Sequence, residues 1–245
     1  MSLKLAVVVP VYNEETSILS NLQYIHSKVL KLKNCTLLVV NDGSTDNTKS
    51  KLKILNEILK SNFNYVNLQI NSGYGAAIKA GYLKAKKINC THVLFMDSDL
   101  TNSPDDIKLF YKALKKYDYV KASRYENYGA MIGVSYLRRI NSVLASFIAK
   151  FLIGNKYTDP TNGFRAIKVG IIPFESLISN DFSIIMEELA QITTNSNIST
   201  FNIPVILKCR TTEARKSAFI YNFKTYYRYL IPCFKVFLFR IGVLR

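Results

Sequence analysis

Asp97 and Asp99 are the residues from which chemistry can first be argued. They close residues 93–99, Val-Leu-Phe-Met-Asp-Ser-Asp, where four apolar side chains run into two carboxylates at i and i+2. A polar turn ending in Pro104 follows. A short apolar run with turn signals on its flanks reads as a buried strand. Alternation along that strand predicts that both carboxylates leave its end on the same side. Like charges so placed repel unless a cation sits between them. Hard ions such as Mg²⁺ or Mn²⁺ take one or two carboxylates together with substrate phosphates. The plainer reading is an acidic turn leading into a helix start at Ser103-x-x-Asp106.

The elements that must position these carboxylates repeat a simple unit. Residues 5–9, 37–40 and 65–70 are further strand-like runs, each followed by a turn and a helical pattern, and another strand is predicted near residues 119–122. Apolar strands alternating with helices predict a mostly parallel sheet sandwiched between helices, with ligands gathered at the strand C-terminal ends. Those ends carry Tyr12, Asn13 and Glu14, then Asp42, then Gly73 and Gly75, then Asp97 and Asp99. Asp42 suits a base or ribose, and the glycines let a backbone approach a ligand closely. Gly73-Tyr-Gly75 is too short for a dinucleotide fingerprint. Each turn read singly is also an ordinary turn former.

The chain has 245 residues, with 33 Lys+Arg against 17 Asp+Glu and a net charge of +16. That balance points to an anionic partner: nucleic acid, a phosphorylated substrate or a membrane surface. The acidic cluster at the sheet edge argues against a nucleic-acid backbone. Cys35, Cys90, Cys209 and Cys233 lack metal or redox spacing and read as free thiols in a reducing compartment. Lys4 followed by an early polar turn gives no signal-peptide pattern, and no uncharged run is long enough to span a bilayer. His26 and His92 are isolated and read as structural.

The second half breaks the rhythm. A helix is predicted over residues 137–153, opened by Arg138 and Arg139, a pairing unfavourable to the helix dipole unless an anion binds there. Residues 157–165 are turn-rich, and Asp159 could simply initiate an Asp-Pro turn. Another helix, over 183–194, holds Glu187 and Glu188, and a strand over 201–207 runs toward Arg210 and Lys216. In the aromatic tail Lys224, Arg228 and Lys235 share one helical face, with Pro232 expected to break or kink it. Such a helix either lies on an anionic membrane or packs on the core or an oligomer interface.

Pro10-Val-Tyr-Asn-Glu14, Asn41-Asp-Gly-Ser-Thr-Asp46, Asn71-x-Gly-x-Gly-Ala-Ala77 and Asp97-Ser-Asp-Leu100 together resemble, in order and spacing, the family 2 nucleotide-sugar glycosyltransferases. Ser123-Arg-Tyr125, Leu137-Arg-Arg-Ile-Asn-Ser142, Asp159-Pro-Thr-Asn-Gly-Phe-Arg165 and Met186-Glu187 are similar to the dolichyl- and polyprenyl-phosphate sugar transferases within it. The resemblance implies an α/β fold of the glycosyltransferase A type, a Rossmann-like, mostly parallel sheet with helices on both faces and a C-terminal helical extension. It implies a catalytic domain over 1–216, with a nucleotide half to about 122 and an acceptor half from 123, and an extension over 217–245. Pro10, Tyr12, Glu14, Asp42, Gly75 and Asp97 would hold the nucleotide, and Asp97 and Asp99 a Mg²⁺ or Mn²⁺ ion. Arg124, Arg138, Arg210 and Lys216 would bind phosphates of donor or acceptor, while Asp159 and Glu187 would line the reaction centre with Arg124. The chain departs from the family at Arg210-Thr-Thr-Glu-Ala-Arg-Lys216, where Glu213 and Arg215 replace the usual Gly and Ser, and at Asn162 before Gly163.

The implied activity is inverting transfer of a hexose from a GDP- or UDP-sugar to a polyprenyl phosphate. It would take place at the cytoplasmic face of an anionic membrane, with an anchoring subunit or a homo-oligomer as further partners. A phosphate acceptor is already largely dianionic and needs cationic positioning, whereas a hydroxyl on a growing glycan needs a carboxylate base. In the second case Glu187 or Glu188 would be that base. The non-enzyme rival is a basic nucleic-acid-binding or scaffold protein.

Overall fold

The computed structural model describes residues 2–154, 156–209, 223–241 and 243. Apolar runs in the first half form β1 (Leu5–Val11), β2 (Cys35–Asp42), β3 (Phe63–Leu68), β4 (His92–Phe95) and β5 (Tyr119–Ser123). They alternate with α1 (Ile18–Val29), α2 (Thr48–Leu59), α3 (Tyr74–Lys87) and α4 (Ile107–Ala113). The second half adds β6 (Ala130–Ile132), α5 (Tyr136–Ile153), β7 (Arg165–Lys168), α6 (Ile184–Thr194), β8 (Thr200–Pro204), β9 (Ile206–Lys208) and α7 (Phe223–Arg240).

Seven strands make one sheet in the order β3-β2-β1-β4-β7-β5-β8, and β6 pairs with β9 in a small second sheet. All pairings in the large sheet are parallel except those of β7, which is antiparallel to both β4 and β5. β7 is absent from the sequence reading, which leaves Tyr157 to Arg165 as turns. The strand expected over 201–207 is two strands separated by Val205, whose N–H donates to Ser123 O in line with β8 before the chain passes to β9.

Strand alternation divides the core in two. Ala6, Val8, Leu38, Val40, Val93 and Phe95 pack on α3, α5, α6 and α7; Leu5, Val7, Leu37, Val39 and Leu94 pack on α1, α2 and α4. The tail helix thus belongs to the body, since Tyr229, Cys233 and Val236 are buried in the first cluster. It also runs unbroken through Pro232.

Both histidines sit away from the sheet's C-terminal edge. His26 Nε2 lies 2.9 Å from Ser61 O. His92 opens β4, with Thr91 Oγ1 2.8 Å from its Nδ1, and burial followed by the Lys168 charge pushes its pKa down to about 4. The unfolded imidazole, titrating near 6.5, therefore binds its proton more readily than the folded one, and stability should fall as pH drops from that value toward 4. Thermal melts should show a loss of about 2–3 kcal/mol between roughly pH 7 and 4.5, much reduced in His92→Gln. The same acid slope in that variant would assign the loss elsewhere.

Candidate active site

The first two turns are fastened to each other. Beyond Pro10, which lies within β1, Asn13 takes a positive φ of 52° and its Oδ1 accepts from Thr45 N at 2.8 Å. The Glu14 N–H donates to Thr48 Oγ1 at 2.9 Å; the Glu14 side chain is buried and Tyr12 half-buried. Asp42 organises the third turn: its oxygens accept from Ser72 N at 2.8 Å and Gly73 N at 2.9 Å. Burial raises the Asp42 pKa, and these two bonds oppose the rise.

Gly73 and Gly75 need their small size for a reason the sequence reading did not find. A Cβ on Gly73 would lie 2.4 Å from Asn180 O, and one on Gly75 2.5 Å from Ser179 O. The backbone that comes close there is the chain's own. Glu187 holds that same segment, its carboxylate accepting from Ile178 N at 2.8 Å and Ser179 N at 2.9 Å. The structure therefore places Glu187 behind the third turn.

The carboxylate pair also differs from expectation. β4 ends at Phe95, a turn spans Ser98 and Asp99, and Leu100 adopts a φ of 57°. The two side chains therefore do not leave an extended strand in register. Asp97 lines a cavity of about 220 Å³. Asp99 is buried, and its Oδ1 accepts from Thr101 N at 3.1 Å and Thr101 Oγ1 at 2.8 Å. Among the described residues, no three His, Cys, Asp or Glu side chains form a metal-binding group. Two adjacent acidic residues, one on the cavity wall, fit an ion completed by substrate phosphate oxygens and water.

Two arginines, Arg124 and Arg138, line the same cavity. Arg124 Nε donates to Asp159 Oδ2 at 2.6 Å and Nη2 to Asp159 Oδ1 at 2.8 Å, a two-pronged pairing that fixes the guanidinium plane. Nη2 also reaches Thr161 Oγ1 at 2.9 Å, and Ser146 Oγ donates to Asp159 at 3.3 Å. Asp159 is fully buried; burial pushes its pKa up, but Arg124's charge and hydrogen bonds outweigh this and hold it low. The pair therefore presents Arg124 to the cavity. Arg138 reaches the same cavity from the first turn of α5, which contains no acidic residue. Arg210 and Lys216 lie outside the described residues.

A second ion pair is fully buried in the core. Arg165 Nε lies 2.9 Å from Glu188 Oε2, both side chains are fully buried, and the guanidinium sits 4.7 Å above the Phe95 ring. Arg165 Nη1 donates to Gly163 O at 2.8 Å, holding the loop that faces Asp97. Lys121 is also fully buried and donates to Asn162 O, and burial, with the Arg165 charge, lowers its pKa to about 7. Sequence reasoning missed Lys121 and Thr161, and also Tyr74 and Phe182, whose rings stack at 4.4 Å on the cavity wall. It missed the wall made by the tail as well, where Tyr229, Leu230 and Cys233 line the cavity.

A seven-stranded, mostly parallel sheet with helices on both faces and acidic turns at its strand ends is the glycosyltransferase A-type fold. The solved glucosyl-3-phosphoglycerate synthase of Mycobacterium tuberculosis, in complex with Mn²⁺, UDP-glucose and phosphoglyceric acid, shares it: TM-score 0.62 and 18% identity, covering all of this chain and 81% of that one. The chain belongs to glycosyl transferase family 2, whose model matches residues 6–173. It is 26% identical over 244 residues to the UDP-N-acetylglucosamine–dolichyl-phosphate N-acetylglucosaminyltransferase of Methanococcus voltae, covering 91% of this chain and 94% of that protein. It is 31% identical over 143 residues to an undecaprenyl-phosphate 4-deoxy-4-formamido-L-arabinose transferase of Proteus mirabilis, covering 58% of this chain but only 43% of that protein.

Proposed function

We propose that this enzyme is an inverting, metal-dependent hexosyltransferase. It moves a sugar from a GDP- or UDP-hexose to a polyprenyl phosphate at the cytoplasmic face of a membrane. The observation that carries the reading is the composition of the cavity wall. Asp97, Arg124 and Arg138 share it with apolar side chains from α5, α6 and α7, including Ile148, Met186 and Leu230. Such a wall suits an acceptor with an anionic head and a hydrocarbon body. The Methanococcus relative, a dolichyl-phosphate sugar transferase, and the Proteus relative, an undecaprenyl-phosphate sugar transferase, support it.

The chemistry follows from the residues. Asp97 and Asp99 would hold Mg²⁺ or Mn²⁺, which supplies Lewis-acid neutralisation of the departing diphosphate. Pro10, Tyr12, Glu14 and Asp42 lie along the edge where the nucleoside would sit. Arg124, pre-aligned by Asp159, and Arg138 position the acceptor phosphate. Its oxygen attacks the anomeric carbon as the bond to the nucleoside diphosphate breaks, and the configuration inverts. That oxygen is already deprotonated at neutral pH, so no general base is required. Glu188 is committed to Arg165 and Glu187 to the 178–179 backbone, which favours this acceptor over a glycan hydroxyl.

Offered a short-chain polyprenyl phosphate and the matching polyprenol with a panel of donors and Mn²⁺, the enzyme should glycosylate only the phosphate. Equal use of both, or use of an oligosaccharide alone, would establish the hydroxyl-acceptor alternative.

A further inference from the structure

Lys121 is a buried charge that the chemistry described above does not use. It sits in the middle of β5 with no exposure to solvent, and its Nζ donates to a neutral acceptor, Asn162 O. In the antiparallel pairing of β5 with β7 it stands directly opposite Arg165, whose side chain is also fully buried. Like charges in opposed positions destabilise a ladder, and burial away from water adds to the cost.

The carboxylates nearby are committed elsewhere. Asp159 accepts from Arg124 Nε and Nη2, and Glu188 accepts from Arg165 Nε. Three cationic side chains thus share two carboxylates, each already paired with an arginine. The charged groups facing Lys121 are Arg165 on β7, Glu188 on α6, Asp159 on the loop after α5, and Arg124 just past the end of its own strand. Tyr119, two residues earlier on the same strand face, stays protonated because burial raises its pKa. On β8 the register partner is Asn202, while α5 sends Ser146 to Asp159 and Arg138 to the cavity. Asp97 lies beyond Gly163, on the cavity side of the loop.

An unbalanced buried cation either loses its proton or gains an anion. In the protein by itself burial and the Arg165 charge favour the first, bringing Lys121 down to about 7. The second is open because Arg124, aligned by Asp159, lines the cavity and is placed to receive a phosphate. A phosphoryl group there brings up to two negative charges to the same network, which favours the charged lysine.

We propose that Lys121 is a positioning residue whose protonation is linked to phosphate binding at Arg124, the substrate anion supplying the negative charge that the buried network lacks. One proton passes from solvent to Nζ as the anion binds, turning the amine into an ammonium. The charged form holds Asn162 O more strongly. Asn162 lies between Asp159, which aligns Arg124, and Gly163, which faces Asp97, so anion binding tightens the loop that joins the two sides of the site. The inference rests on the phosphate-acceptor reading above for the identity of the anion. By reciprocity the protonated protein binds the anion more tightly by the same factor as the anion favours the proton. Affinity is therefore full below about pH 7 and falls as pH rises from there toward the higher pKa of the complex.

The test is titration calorimetry of the full chain with geranyl phosphate, without metal, at pH 8 in buffers of small and large ionisation enthalpy. At that pH the ligand, with a second pKa of about 6, is already dianionic and has almost no proton to release. Lys121 is then mostly neutral and has one to gain. The wild type should take up about half a proton or more per ligand, and its affinity should fall about five- to tenfold between roughly pH 7 and 9. Lys121→Met and Lys121→Gln, the second keeping a donor for Asn162 O, should both bind without proton uptake and without that fall. A lysine that merely props the loop leaves no such signature. Wild-type binding without proton uptake, or the same uptake in either variant, would overturn the linkage while leaving the acceptor reading in place. Absence of wild-type binding would refute the acceptor reading, and the linkage with it.

Discussion

Asp97→Asn is expected to lower sugar transfer by roughly a hundred- to a thousandfold at saturating donor and Mn²⁺, the range seen when one electrostatic stabiliser of a developing anion is removed. The substitution keeps the side chain's shape while deleting one negative charge from the cavity wall and turning one acceptor oxygen into an NH₂ donor. The leaving nucleoside diphosphate gains charge as the glycosidic bond breaks, so the loss should fall mainly on kcat. Asp99→Asn should be similarly damaging, but with an added change in the turn, because Asp99 also accepts two bonds from Thr101. Chelation with EDTA should abolish wild-type transfer, and added Mn²⁺ should restore it. Mn²⁺ titration in the presence of nucleoside diphosphate gives an independent readout, with weaker ion affinity in both variants. Undiminished turnover in either variant, or full activity in EDTA, would remove the metal from the mechanism.

What the sequence makes legible here is whatever is local. Strand, turn and helix in the first half follow from apolar runs and their punctuation, and the alternation of Val7, Val8 and Val9 between the two cores is a property of any strand. The turns at the strand ends were therefore readable, as was the Asp97–Asp99 pair. What was hidden depends on partners far along the chain. Arg-Ala-Ile-Lys carries charges at both ends and no apolar run; it becomes β7 because Glu188 neutralises Arg165 and because β4 and β5 leave a gap to fill. The close approach at Gly73 and Gly75 comes from Ser179 and Asn180, so no local pattern distinguishes it from ligand contact. In α5 periodicity reveals a stripe but not which side of it faces inward. The usual rule of apolar inside gives the opposite orientation to the one observed. In the tail the structure bears out packing on the core, since Tyr229, Cys233 and Val236 are buried, while Tyr227, Ile231 and Phe234 are exposed.

Glu188→Ala should be the most destabilising single change in the molecule. Arg165 is fully buried against Phe95, and removing its carboxylate leaves a charge with no route to water; broken pairs of this kind lose about 3–5 kcal/mol. For a chain of this length that corresponds to a fall in Tm of about 10 °C. The second substitution separates packing from chemistry. Arg165→Met combined with Glu188→Leu removes both charges at comparable volume, and such replacements are often neutral or better. The double variant should therefore recover most of the lost Tm. It should not recover transfer, because Arg165 Nη1 also holds the Gly163 carbonyl, and Gly163 is the residue that brings the Asp159–Arg165 loop up to Asp97. A double variant that is stable and fully active would show that the pair serves packing alone. One as unstable as Glu188→Ala would show that the two side chains are held by more than their mutual charge.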